Sequence, residues 1–132
     1  MSGASEQVSL PAEFTLGKGT DNERTYELLS FIEGKEFMID GHEMVRRAEE
    51  MNAHLGREDR QYILDHQEEI PPALKEGIYF IFSAERWPSK PDHVAFLFNN
   101  SVRWLCDWGS LAELWSAGDG RLLRRRKSDC AA

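Results

Sequence analysis

Only two cysteines, no apolar run longer than about five residues and no excess of basic charge remove several classes of protein at once. A membrane-crossing helix needs roughly 20 apolar residues, so none is expected and no membrane partner is implied. Met1-Ser-Gly-Ala-Ser-Glu-Gln7 has neither the basic nor the apolar character of a secretory leader, and a cytoplasmic protein is the expectation. Cys106 falls in an expected strand and Cys130 near the C-terminus, where a bridge would tether a frayed tail to the sheet. Free thiols are therefore expected. No nucleophile, metal cluster or phosphate loop occurs at a recognised spacing, and no cofactor is implied.

The chain is acidic, with a net charge of −7, and its charge is unevenly spread. Residues 1–70 hold 7 Lys or Arg against 16 Asp or Glu, whereas residues 71–132 hold 9 against 7. That balance disfavours non-specific attachment to nucleic acid or anionic lipid and leaves protein partners open. At 132 residues, 41% of them hydrophobic, the chain has room for one core.

Residues 1–19, with Pro11, Gly17 and Gly19, read as an extended arm with a short edge strand near Phe14. Thr20-Asp-Asn-Glu23 fits a capping box, opening a helix to about Ile32 with Tyr26, Leu29 and Ile32 on one side. A second helix starts at the N-cap Asp40, carries Met44, Ala48, Met51 and Leu55 on its inner face, and stops at Gly56. A third runs from about Glu58 to Glu68 and closes before Pro71-Pro72. It is no recognition helix for DNA, because Glu58 to Glu69 holds five carboxylates against one arginine.

Three aromatic and β-branched runs follow: Ile78–Phe82, Val94–Phe98 and Val102–Trp108. They read as an antiparallel meander. Glu85 to Asp92 is expected as a long loop carrying Arg86 and Trp87, and Asn99-Asn-Ser101 as a tight turn. Ser110-Leu-Ala-Glu113 suggests a short helix through Trp115, and Arg121 to Lys127 a last, charged edge strand before residues 128–132 fray. The expectation is one α+β domain over residues 20–127, its N-terminal helices packed on a three- to four-stranded antiparallel meander sheet.

Among residues that could carry chemistry, His42-Glu43 starts like a zinc-protease helix, but Arg46 stands where the second histidine is needed. His54, His66 and His93 are scattered, so no metal site is assigned. Pairing of the second and third strands around Asn99-Asn100 would bring His93 toward Cys106, but its register sets Cys106 opposite approximately Val94 or Ala95, on a face lined by two tryptophans, as a small core residue. Trp104 and Trp108 read as core.

Gly41-His-Glu-Met44, Glu69-Ile-Pro71, the Arg103-Trp104 pair and Asp119-Gly-Arg-Leu-Leu-Arg124 together resemble small uncharacterised bacterial proteins. The resemblance implies a bacterial, cytoplasmic origin and brings no activity and no site residue. From the residues themselves, the first function is a non-catalytic acidic protein that binds another protein, as an accessory, inhibitor or immunity-type partner. Its candidate contacts are Arg86, Trp87, Glu58 and Asp59. The alternative is nucleic-acid binding through Arg121, Arg124, Arg125, Arg126 and Lys127, a run without interleaved aromatic residues. An enzyme with an unrecognised site is the third.

Overall fold

Asp40 caps a helix as its position demands: its carboxylate accepts the His42 backbone N–H at 2.7 Å. The structure, a computed structural model, describes residues 11–116 and 119–126. In it the helix α1 spans Gly41–Glu50 and turns Met44, Val45 and Ala48 inward. It ends at Met51, before the expected Gly56, because Asn52 adopts a left-handed backbone with φ 59°. The chain then runs on so that the Leu55 carbonyl accepts the Ala84 N–H. The helix α2 covers Arg57–Asp65 and burial falls on Asp59, Tyr62 and Ile63. Its expected last turn is instead a 3-10 turn, Gln67–Glu69, followed by another at Pro72–Leu74.

Eight strands and two α-helices among the described residues make the fold sheet-dominated, which overturns the expected layer of N-terminal helices on a small meander. The strands are β1 (Glu13–Leu16), β2 (Arg24–Leu29), β3 (Met38–Asp40), β4 (Tyr79–Trp87), β5 (Lys90–Asn99), β6 (Trp104–Ser110), β7 (Leu114–Ser116) and β8 (Gly120–Arg125). Six of them form one mixed sheet in the order β1-β2-β8-β4-β5-β6, and β3 pairs with β7 in a second, two-stranded sheet. The only parallel contact among these pairs is β4 with β8. The expected meander is present as β4-β5-β6.

Four local expectations fail, each for a physical reason. The segment expected as the first helix is β2. Its Thr20 hydroxyl donates to the Gly17 carbonyl at 2.7 Å and accepts the Asn22 N–H at 3.2 Å, so it organises the β1-β2 turn rather than a helix start. Gly17 and Gly19, at φ 67° and 81°, supply the left-handed geometry of that turn. The helical spacing of Tyr26 and Leu29 arises because the sheet is covered on both faces. Tyr26 and Leu28 pack in the core under α2, Leu29 and Phe31 in the core under α1.

The expected loop from Glu85 to Asp92 is mostly strand. Trp87 pairs with Lys90, which leaves only Pro88 and Ser89 in the turn, and a bulge between Phe82 and Arg86 absorbs the irregularity. Ser110 does not open a helix. Its carbonyl instead accepts the Trp115 Nε1–H at 3.0 Å, and the chain passes into β7. The segment from Arg121 is not an edge. β8 lies in the middle of the sheet, antiparallel to β2 and parallel to β4, with Leu122 and Leu123 both fully buried on opposite faces. Lys127, at its expected end, lies outside the described residues, as does Cys130.

β7 reaches the α1 side of the sheet through one close approach. The Trp115 ring packs against Gly109, where an added Cβ would sit 2.5 Å from Cη2 and 2.7 Å from Cζ2. Gly109→Ala is therefore expected to destabilise the fold by about 1–3 kcal/mol through overpacking. Urea unfolding followed by tryptophan fluorescence measures this, and an unchanged midpoint would contradict the close packing. No helix among the described residues is long and apolar enough to cross a membrane.

Candidate interaction surface

Arg86 and Trp87 belong to the β4-β5 hairpin, and their polar and aromatic groups are used within it and against β6. The Arg86 guanidinium donates to the Ser83 and Pro91 carbonyls at 3.1 and 3.2 Å. The Trp87 ring stacks on Trp108 with centroids 5.9 Å apart, takes the His93 ring edge-on, and has Lys90 Nζ 5.3 Å from its centroid. Glu58 and Asp59 share the first turn of α2 but not a setting. Glu58 is open to solvent, whereas Asp59 is buried. No hydrogen bond or ion pair among the described residues joins Arg86 or Trp87 to Glu58 or Asp59.

Asp59 is the acceptor of a buried polar network. It takes the Tyr26 hydroxyl at 2.7 Å and Arg24 Nη1 at 3.0 Å, with Arg125 Nη1 at 3.9 Å. The Arg24 guanidinium also lies 4.2 Å from the centre of the Tyr62 ring. Burial pushes the Tyr26 hydroxyl well above its ordinary value, and the Asp59 carboxylate adds to that. On the same side of the sheet, Arg60 forks onto Glu85 through two bonds of 2.8 and 2.6 Å, tying α2 to β4. Both networks tie elements of the fold to one another.

The arginines of β8 are likewise paired inside the molecule. Arg124 donates to Glu27 at 2.7 Å and to the Met51 carbonyl at 3.2 Å, and Arg126 to Glu13 at 2.8 Å. With Arg125 they line a shallow hollow shared with Glu27, Asn52 and Leu55. Arg121 donates to the Gly120 carbonyl.

Cys106 is paired with Leu97 in the β5-β6 ladder, not with Val94 or Ala95, and His93 lies at the ladder's far end opposite Ser110. Burial pushes the Cys106 thiol up, and the Arg60 charge opposes this. The neutral thiol faces the α2 core beside the partly buried Trp108, while Trp104 is buried. The histidines meet local partners: His42 meets Asp40, His54 the Ser83 hydroxyl, His66 the Tyr62 carbonyl and His93 Asp92. No group of three or more ligating side chains able to hold a metal ion occurs among the described residues.

Carboxylates around α1 carry the clearest pH signature. The guanidiniums of Arg46 and Arg47 hold the Glu43 carboxyl down to about 2. Arg47 lowers Glu36, the His42 backbone N–H lowers Asp40, and His93 lowers Asp92. A carboxyl depressed in the folded chain stabilises it fully above the ordinary value of 4.5 for glutamate, and that support disappears as pH falls toward about 2. The urea midpoint is expected to fall between those two pH values, and Glu43→Gln to make the fall shallower. A midpoint that rises on acidification would contradict the assignment.

One surface is not used internally. Phe37, Met38 and Leu114 are 75%, 45% and 63% exposed. In the β3-β7 pair, Ile39 faces Trp115 on the buried side, while Met38 opposite Ser116 and Asp40 opposite Leu114 form the outer face. Met38 and Leu114 are thus diagonal neighbours across the pair, about 7–8 Å apart, close enough to act as one apolar unit. Phe37 leads directly into it. Along the chain Glu36 and Asp40 flank Phe37 and Met38, and Glu113 precedes Leu114, although the Glu36 carboxylate is held by Arg47. Sequence reasoning passed over these residues. The available signal was Phe37-Met38-Ile39, an apolar run of three between Glu36 and Asp40.

The chain matches no family model, no curated protein and no solved structure.

Proposed function

We propose that this chain is a small, acidic, non-catalytic protein that works by binding another protein in the cytoplasm, as an accessory, inhibitor or immunity-type partner. The observation that carries the reading is the outer face of β3-β7, where Met38 and Leu114 stay exposed beside a core that buries Ile39 and Trp115, with the exposed Phe37 next to Met38 in the chain. Exposed large apolar side chains gathered on one face, with polar neighbours, mark protein contact sites in soluble domains. The internal saturation of Arg60, Glu85, Asp59 and Arg124 supports the same reading, because those charged groups are occupied in holding the fold.

Affinity capture from a lysate of the host cell tests this when the wild type is compared with a Phe37→Ser, Met38→Ser, Leu114→Ser variant. A protein held in stoichiometric amounts by the wild type, resistant to nuclease, and lost by the variant is the expected result. Equal retention by both chains would place the contact elsewhere. Retention that vanishes with nuclease would favour the nucleic-acid alternative through Arg121, Arg124, Arg125 and Arg126. That alternative has the hollow beside Arg124 to Arg126 in its favour, and against it the carboxylate partners of those arginines.

A further inference from the structure

We infer that the β3-β7 face takes a basic partner: a segment of another protein that sets an arginine or lysine between apolar side chains. This rests on the interaction reading and goes beyond it by fixing the partner's chemistry. The outer face is a checkerboard, with Met38 beside Asp40 along β3 and Leu114 beside Ser116 along β7. Any apolar group laid on Met38 and Leu114 therefore also removes water from Asp40, which is directly opposite Leu114.

Asp40 is ionised in the free chain. Its side chain is 54% exposed in the free chain, and the N–H groups at the start of α1 hold its carboxyl below the ordinary value. Its ring partner, His42, is itself exposed, and no lysine or arginine pairs with Asp40 among the described residues. Covering an ionised carboxylate without a counter-charge is strongly unfavourable, whereas a guanidinium or ammonium from the partner satisfies it. The surroundings reinforce the sign. Glu113 has no ion-pair partner among the described residues, whereas Glu36 and Glu43 are already paired with Arg47, so the charge left to a partner is that of Asp40 and Glu113.

A second copy of the chain is the wrong occupant on the same grounds. A two-fold contact through this face would bring its carboxylates toward their own copies, where like charges repel. The extended geometry of the pair, with side chains alternating at a period of two, suits a partner segment in which apolar and basic residues alternate.

The test uses the full chain and two synthetic peptides of equal length, one alternating isoleucine with arginine, the other isoleucine with glutamate. Binding is followed by amide shifts at residues 36–40 and 113–116. The arginine peptide is expected to bind, to weaken with added salt, and to shift those amides, while the glutamate peptide does not bind. Asp40→Asn keeps a good N-cap and removes the charge, so it is expected to retain the melting temperature and lose roughly tenfold in affinity or more. Met38→Ser with Leu114→Ser is expected to abolish binding.

Failure of the arginine peptide to bind, equal binding by both peptides, or an Asp40→Asn variant with unchanged affinity would overturn the basic-partner inference. A dimer that forms with rising concentration and is lost with Met38→Ser and Leu114→Ser would overturn it in favour of self-association. The peptide results leave the broader reading standing, because that reading is tested separately by capture from a lysate with and without nuclease.

Discussion

Leu122→Pro is expected to leave the chain unfolded at room temperature, with loss of the strand signal in circular dichroism. Leu122 lies in β8, paired with Leu29 of β2 on one side and Ile81 of β4 on the other. Proline in an inner strand removes a ladder hydrogen bond and is accommodated only at edges or bulges. The fully buried leucine side chain is lost as well, which by itself destabilises by about 2–5 kcal/mol. Together these approach the whole stability of a small domain, about 5–15 kcal/mol. Leu122→Ala, which removes only the side chain, is expected to fold with a lowered urea midpoint. An edge strand would tolerate the proline, so a well-folded Leu122→Pro protein would contradict the central placement of β8.

The second large effect is expected at Asp59. Asp59→Ala leaves the Tyr26 hydroxyl without its acceptor and Arg24 with the exposed Glu58, at 3.6 Å, as its remaining carboxylate, and Arg24 Nε already has no partner among the described residues. The side chains of Arg24 and Asp59 are each 11% exposed, so solvent does little to replace the lost bond. Breaking a buried pair costs about 3–5 kcal/mol when the charge left behind is uncompensated, and the exposed Glu58 beside Arg24 sets the loss here toward the lower end. Asp59→Asn retains an acceptor and is expected to lose less. A combined Arg24→Leu, Tyr26→Phe, Asp59→Leu chain, with no buried charge left, is expected to recover much of the deficit. Urea unfolding of the three proteins tests this, and an Asp59→Ala midpoint equal to wild type would show that the network contributes little.

What could be read in the sequence was local. Asp40 is an N-cap because the capping bond spans only two residues, and β4-β5-β6 follow one another along the chain with β-rich composition. What could not be read depends on partners distant in sequence. β2 resembles a helix in pattern because its two faces meet different cores, and β8 resembles an edge because its arginines cluster at the strand's end. The candidate surface was illegible for the same reason: Met38 and Leu114 become neighbours only through the β3-β7 pairing. Asp59 was legible as acidic. Its burial was not, since that requires Arg24 and Tyr26 of β2 to lie across from α2.

The most direct test of the interaction account is the footprint of a captured protein on this chain, measured by hydrogen exchange of the complex against the free chain. Protection confined to residues 36–40 and 113–116 is the predicted result. Protection centred on the Arg86-Trp87 hairpin or on Arg121 to Arg126, with the β3-β7 face unchanged, would contradict it.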